Sequence, residues 1–401
     1  MTSRNRLLGV LAFGHGATHW HPGAMSVALP LILKDLGMSY TQMGLIRSFQ
    51  QIVVVLSTVM GGLAIDLLNK RKAILIFSVI WPSVIFSILG FANSVAVFAV
   101  LACMRLLFGG FFWHPPARSV IGETFPDRMG FALGIHTMGG NFAQALAPIA
   151  IGALLWFITW RSAFKLHFIV GVAAAYLLYL LLPPLGKPKE DEIKTTTYLE
   201  GFKSEVLGNL PLLGIALVAA LRSAGENVIP TFLPLYLSHV LHLSTGTIGI
   251  YLSSLALVGT VAAPFVGYLS DRWGRKPAIF LCLFSGGLVI SLIPFLQSPM
   301  FLFPLVSLGG VVLFSGGPII QADGLEHSPR NLWGAAQTLL DITRATLSFI
   351  FPLLAGWMAD WYGLSSTFYL FGAANFAGAF IILSVPHRKG PEGRNIESRN
   401  L

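Results

Sequence analysis

The sequence predicts an all-α membrane protein: twelve transmembrane helices in two pseudo-symmetric six-helix bundles. Three observations carry that prediction. First, 55% of the 401 residues are hydrophobic and only 11% are charged, less than half of the roughly 25% charge of a soluble chain. Second, the apolar residues fall in continuous runs near the ~20 residues that a bilayer core of about 30 Å requires of a helix. Third, the second half repeats the first at a near-constant offset. Disorder is excluded, because it needs low hydrophobicity and high net charge. Cys103 and Cys282 lie inside apolar runs and supply neither a disulfide framework nor a metal spacing.

The first six spans fall near 7–34, 41–66, 73–92, 95–122, 129–157 and 162–183. A polar stretch containing KPKEDEIK follows, and six more spans fall near 208–238, 245–270, 277–297, 299–322, 331–359 and 364–386. The expected organisation is an N-terminal bundle over 1–185, a cytoplasmic linker over 186–207, a C-terminal bundle over 208–388 and a cytoplasmic tail over 389–401. The runs are continuous rather than alternating, and open strands cannot satisfy their backbone in lipid, so sheet is not expected. Met1–Arg6 is short and basic, and the apolar run behind it is too long for a cleaved signal sequence.

The formal charge of +9 would suggest nucleic acid in a soluble chain. Here the basic residues flank apolar runs, so they read as orientation signals and no nucleic-acid partner is expected. They crowd one side: Arg4 and Arg6, Lys70 to Lys72, Lys187, Lys189, Lys194, Arg272, Arg275 and Lys276. The other side holds Lys34, Arg161 and Lys165. That bias places both termini in the cytoplasm.

The repeat is specific. GGLAIDLLNKRKAI at 61–74 matches VGYLSDRWGRKPAI at 266–279, with Gly62 over Gly267 and Asp66 over Asp271. ALPLIL at 28–33 matches FLPLYL at 232–237, Glu123 matches Glu326, and APIAIG at 147–152 matches FPLLAG at 351–356. Two parallel halves around a central site are a transporter layout.

Gly267, Leu269, Asp271, Arg272, Gly274, Arg275 and Lys276 resemble the loop motif G-x-L-x-D-R-x-G-R-[KR] of the major facilitator superfamily. The first copy keeps Gly62, Asp66, Lys70 and Arg71, but Leu67 and Asn69 replace Arg and Gly. An acid at a helix C-terminus is unfavourable alone. A nearby Arg and the next helix's N-terminus compensate it in one conformation only, which makes each motif a candidate gate. Leu101, Arg105 and Gly109 are similar to the family's L-x-x-x-R-x-x-Q-G motif, with Phe108 in place of Gln. In proton-coupled members that Arg is associated with proton transfer. Gly139, Gly140 and Asn141 with Ala147 and Pro148 look like a degenerate antiporter motif. The same stretch, with Phe112 to Pro115, resembles the bacterial fosmidomycin-resistance group of drug exporters. The resemblance implies the major facilitator fold, alternating access, and a place in a bacterial inner membrane.

Charged groups inside spans point to the pathway, since an Arg at mid-bilayer costs at least ~2.5–3.5 kcal/mol. Arg222 and Glu226 at i, i+4 and Asp341 and Arg344 at i, i+3 each share one helix face. They are either proton-titrating pairs or permanent neutral pairs. Arg47, Arg105 and Arg118 have no acid at helical spacing and suit an anionic substrate or acids on other helices. Arg118 also suits snorkelling. His15 and His19 share a face of the first span, and His114, His136 and His167 lie in later spans; imidazole titrates near neutral pH. His15, His19 and His21 also suggest a metal, but His21 turns to another face, so none is expected.

The function expected from these features is secondary active transport, foremost proton-coupled efflux of small amphipathic or anionic compounds such as drugs. Uptake or exchange of an organic or phosphorylated anion is the alternative, and a non-transporting receptor or scaffold is the alternative of another class. No phosphate-binding Gly loop or nucleophile elbow is present, so neither an enzyme nor a cofactor is expected. The expected partners are a small molecule, protons and lipid, around a monomer.

Overall fold

The computed structural model describes residues 3–68, 70–185, 206–329 and 332–386. The described residues form thirteen α-helices and two short 3-10 turns. The N-terminal half comprises α1 (Ser3–Leu36), α2 (Tyr40–Leu68), α3 (Arg71–Leu89), α4 (Val95–Leu107), α5 (Gly110–Thr124), α6 (Met129–Leu154) and α7 (Trp160–Leu181). The C-terminal half comprises α8 (Leu210–His239), α9 (Thr245–Trp273), α10 (Arg275–Leu292), α11 (Pro299–Glu326), α12 (Trp333–Tyr362) and α13 (Ser365–Ser384).

The fourth expected span is two helices. α4 stops at Phe108, and Gly109 opens α5 with φ −91° and ψ −142°. The adjacent Gly109 and Gly110 carry the highest backbone freedom of any residue type, which makes the break inexpensive. Arg105 thereby sits in the last turn of α4, where a cation meets the negative end of the helix dipole. Among the described residues ten segments, one of them running through α4 and α5, are long and apolar enough to cross a membrane. The two remaining long helices of the first half are α1 and α6, whose apolar runs are interrupted by His15, His19 and His21 and by His136, Asn141 and Gln144. Most of the linker at 186–207 and the whole tail at 389–401 lie outside the described residues.

The cores show how the halves meet. One cluster is shared: Val27 to Leu33 of α1 pack with Ile229 to Leu237 of α8 and Tyr251 to Leu255 of α9. It lies toward the ends of α1 and α8 that lead into the α1–α2 and α8–α9 loops. At the opposite end, where α1 begins and α13 stops, the cores are separate: Leu7 to Leu11 with Trp113 and Ile121 in one half, Ile215 to Ala219 with Ile279 in the other.

The repeat survives as paired contacts. Arg71 at the start of α3 clasps Glu123 bidentately at 2.8 and 2.7 Å, and Lys72 donates to the Leu182 carbonyl at 2.6 Å. In the second half Arg275 pairs with Glu326 at 3.1 Å, and Lys276 donates to the Val385 carbonyl at 2.9 Å. The same two cations staple the third helix of each half at the termini end.

Candidate functional site

Arg47 of α2 and Arg105 of α4 come together. Arg105 is 4% exposed and its guanidinium lies 6.0 Å from the Phe86 ring centroid. Arg47 donates to Gln50 at 3.1 Å, and Gln50 in turn donates to the Ala102 carbonyl at 3.2 Å, tying α2 to α4. The two guanidiniums are near enough for their charges to repel. Each has a buried Nε without a hydrogen-bond partner, and among the described residues neither is paired with a carboxylate. Two like charges held in a low-dielectric interior are unfavourable without a counter-charge. The arrangement suits a small anion received bidentately.

Four of the expected histidines also meet. His15 and His136 stack with ring centroids 4.2 Å apart, His19 lies edge-on to His15 at 4.5 Å, and His114 lies 5.0 Å from His15. His15 shares its Nδ1 with the His136 carbonyl at 2.8 Å. Space for the rings comes from a missing side chain: a Cβ on Gly140 would sit 2.6 Å from the His15 ring. His21 is elsewhere, 3.2 Å from Ser83 and 5.7 Å from the His167 ring centroid. Asn141 is half-buried on α6 with no hydrogen bond among the described residues.

In the C-terminal half, Arg222 donates to the Leu313 carbonyl at 2.8 Å and lines a small pocket with Arg344 and Gln321. A Cβ on Gly317 would fall 2.5 Å from the Arg222 guanidinium, so a larger residue there would displace that group. Asp341 pairs with Arg344 at 3.3 Å as the i, i+3 spacing predicts; Asp341 is exposed and Arg344 partly so. Asp341 is also close enough to Arg118 for attraction across the two halves. The side chains of Glu226 and Asp66 lie outside the described residues.

The loop motif is folded onto its own half. Asp271 forms an ion pair with Arg275, Arg275 donates to Ser270, and Arg272 stacks over Tyr268. Gly274 takes φ +95°, a conformation reserved for glycine. Lys70 is the exposed residue ahead of α3. Nothing lies within 4 Å of a Cβ placed on Gly62 or Gly267, so neither motif glycine is needed for packing in this conformation.

The tight contacts between halves are at the other end. A Cβ on Gly44 would overlap the Pro352 carbonyl, one on Gly356 would overlap the Tyr40 carbonyl, and one on Gly152 would lie 2.7 Å from the Thr245 carbonyl. Asp360 of α12, which the sequence pattern does not single out, caps α2. Its carboxylate accepts from the Tyr40 amide at 3.0 Å, the Thr41 amide at 2.8 Å and the Thr41 hydroxyl at 2.5 Å. Tyr40 also reaches His239 of α8 at 2.8 Å. Asp35 joins Arg161 and the Trp160 indole nearby, a pairing across helices that sequence spacing does not show, and Asp323 approaches His327 at 3.4 Å at i, i+4 inside the second half.

Buried polar groups inside two helical halves whose cores merge at one end and stay separate at the other are a carrier geometry. The family model described as Major Facilitator Superfamily matches residues 11–351 and 215–400. The chain belongs to the Major Facilitator Superfamily. Among its relatives, the hexuronate transporter of Bacillus subtilis (strain 168) is 25% identical, over 94% of this chain and 93% of that protein. The tetracenomycin C resistance and export protein of Streptomyces glaucescens is 25% identical over 82% of this chain and 63% of that protein. The fold matches a bacterial homolog of the human lysosomal transporter Spinster in its inward-facing, unoccupied conformation. That match has a TM-score of 0.78 at 17% identity and covers 96% of both chains. As a member of this superfamily the chain is a membrane transporter of a small molecule and not an enzyme.

Proposed function

We propose that the protein carries a small organic anion by alternating access, with Arg47 and Arg105 holding the anionic group. The observation that carries this reading is the pair of guanidiniums without a carboxylate among the described residues. The hexuronate relative, a carrier of anionic sugars by its name, supports the same substrate class. With both termini in the cytoplasm, as the Lys and Arg bias indicates, the closed end of the molecule faces outward and the Arg pair is reached from the cytoplasm.

Proton-driven export of amphipathic compounds is the second reading, and one observation favours it. A cavity of about 360 Å³ lies between α1, α3, α6 and α7, lined by Phe13, Trp20, Phe142, Leu146 and Val170, with His21, Ser83 and His167 also in its wall. Phe13, Phe142 and Val170 are exposed on the bundle's outer surface, so the cavity opens sideways toward lipid. A compound arriving from the bilayer would enter there. In either reading Asp341, Glu226 and the histidines are the groups available to carry a proton, and the antiport expected from the Gly/Pro stretch remains the coupling to test.

A ligand screen by thermal stability in detergent separates the two readings. Small carboxylates, sulfonates and phosphorylated acids should raise the melting temperature of the wild-type protein and have no effect on Arg47→Gln or Arg105→Gln. Stabilisation by lipophilic cations alone, equal in all three proteins, would refute the anion reading.

A further inference from the structure

We infer that His15, His114 and His136, joined by His19, form a binding site for a divalent d-block cation within the N-terminal half. The inference does not depend on which substrate the Arg pair holds. One ligand atom from each of His15, His114 and His136 lies within 4.8 Å of the others. A tetrahedral Zn²⁺ with bonds of about 2.0–2.1 Å would bring such atoms to about 3.3 Å, a closure that side-chain rotation supplies. His114 and His19 are partly exposed and give the site access from solvent.

The hydrogen-bond inventory points to a missing partner. Nε2 of His15 and both ring nitrogens of His136 are buried without one. The Leu11 carbonyl approaches His136 but falls outside hydrogen-bond geometry. Buried polar atoms are nearly always satisfied, and a cluster of exceptions calls for an ion or water. The tautomer of His15 is also set for a metal. Its Nδ1–H donates to the His136 carbonyl, which leaves the Nε2 lone pair free. Ligating histidines commonly donate their other N–H to a backbone carbonyl in this way.

The chemistry of the donors selects the cation. Three or four neutral imidazoles and no carboxylate suit Zn²⁺, Co²⁺, Ni²⁺ or Cu²⁺ and not Mg²⁺ or Ca²⁺. Among the described residues the cation facing the cluster is Arg118, one turn along α5 from His114, and Asp341 attracts it from the opposite half. All four histidines belong to α1, α5 and α6 of one half. A cation there clamps those helices together and travels with them, so it is a resident ion and not cargo. It would also occupy the imidazoles and leave proton carriage to Asp341 or Glu226.

The test uses the full chain, tag-cleaved and stripped with chelator, in detergent. Zn²⁺ titrated into it should bind at one per chain and raise the melting temperature. Co²⁺ should give the intense visible bands of tetrahedral nitrogen ligation, a readout that needs no variant. His114→Ala and His136→Ala should each weaken Zn²⁺ binding at least about 100-fold, beyond the 10- to 100-fold effect of losing an outer-shell partner. His21→Ala should leave the affinity unchanged, because His21 sits with Ser83 and His167. Substoichiometric Zn²⁺, a weak octahedral Co²⁺ spectrum, or unchanged binding in the His114→Ala/His136→Ala double variant would overturn the assignment.

Discussion

Removing the Asp360 carboxylate should open the closed end of the molecule. Asp360 belongs to α12, yet it accepts three hydrogen bonds from the first turn of α2 in the other half. The contact therefore exists only while the halves are together at that end, and its loss weakens one conformation rather than the fold. Replacing an N-cap acceptor by Ala costs about 0.5–2 kcal/mol. Asp360 is exposed, so water screens its charge, and about 1–1.5 kcal/mol is the appropriate range for Asp360→Ala. At 1.4 kcal/mol per tenfold, that shifts the ratio of closed to open by about 5- to 12-fold. Spin labels at Phe157 and Met300, 81% and 77% exposed on opposite halves at this end, report the separation. Cys103 and Cys282 would be replaced by Ala for the measurement. The long-distance population should grow in Asp360→Ala and much less in Asp360→Asn, because Asn caps a helix about as well as Asp. An unchanged distance distribution in Asp360→Ala would refute the cross-half cap.

Four further outcomes follow from the same geometry. Gly44→Leu should open the closed end by the same spin-label readout, since a side chain there overlaps the Pro352 carbonyl, whereas Gly62→Leu should leave that end closed, because a Cβ on Gly62 meets open space. Arg71→Gln should lower the melting temperature in detergent by an amount equivalent to about 3 kcal/mol, the low end for breaking a buried ion pair, because Arg71 is 1% exposed but Glu123 is 30% exposed. Arg275→Gln should cost less by the same measurement, as its partners Asp271 and Glu326 are 59% and 54% exposed.

Most spans were legible because a bilayer imposes a run length on any helix that crosses it: among the described residues ten of the twelve expected spans find segments long and apolar enough to cross, one of them, at 95–122, a broken pair, and α1 and α6 lie at the other two. The break at Gly109 was less legible, since the apolar run passes through it without a change in composition. Spacing within one helix was a reliable guide, as Asp341 and Arg344 show. Contacts between helices were not encoded that way. The spacing of His15, His19 and His21 already turned His21 away from the other two, toward α3 and α7, but it gave no sign that α5 and α6 bring His114 and His136 to His15. Asp360 reads in sequence as one more acid at a helix end. Only the crossing of α2 and α12 makes it a cap. Glu123 and Glu326 appeared as repeat markers, and the structure gives them their chemistry as partners of Arg71 and Arg275.

The most direct test of the account is counterflow in proteoliposomes loaded with unlabelled small organic acids, carboxylate and sulfonate, against an external labelled trace of the same compound. The wild-type protein should exchange at least one of them, with saturation, and Arg105→Lys should lose the exchange, because an ammonium offers no planar fork to the anion. Exchange retained at the wild-type rate in both Arg105→Lys and Arg47→Gln would contradict the claim that these two guanidiniums hold the substrate.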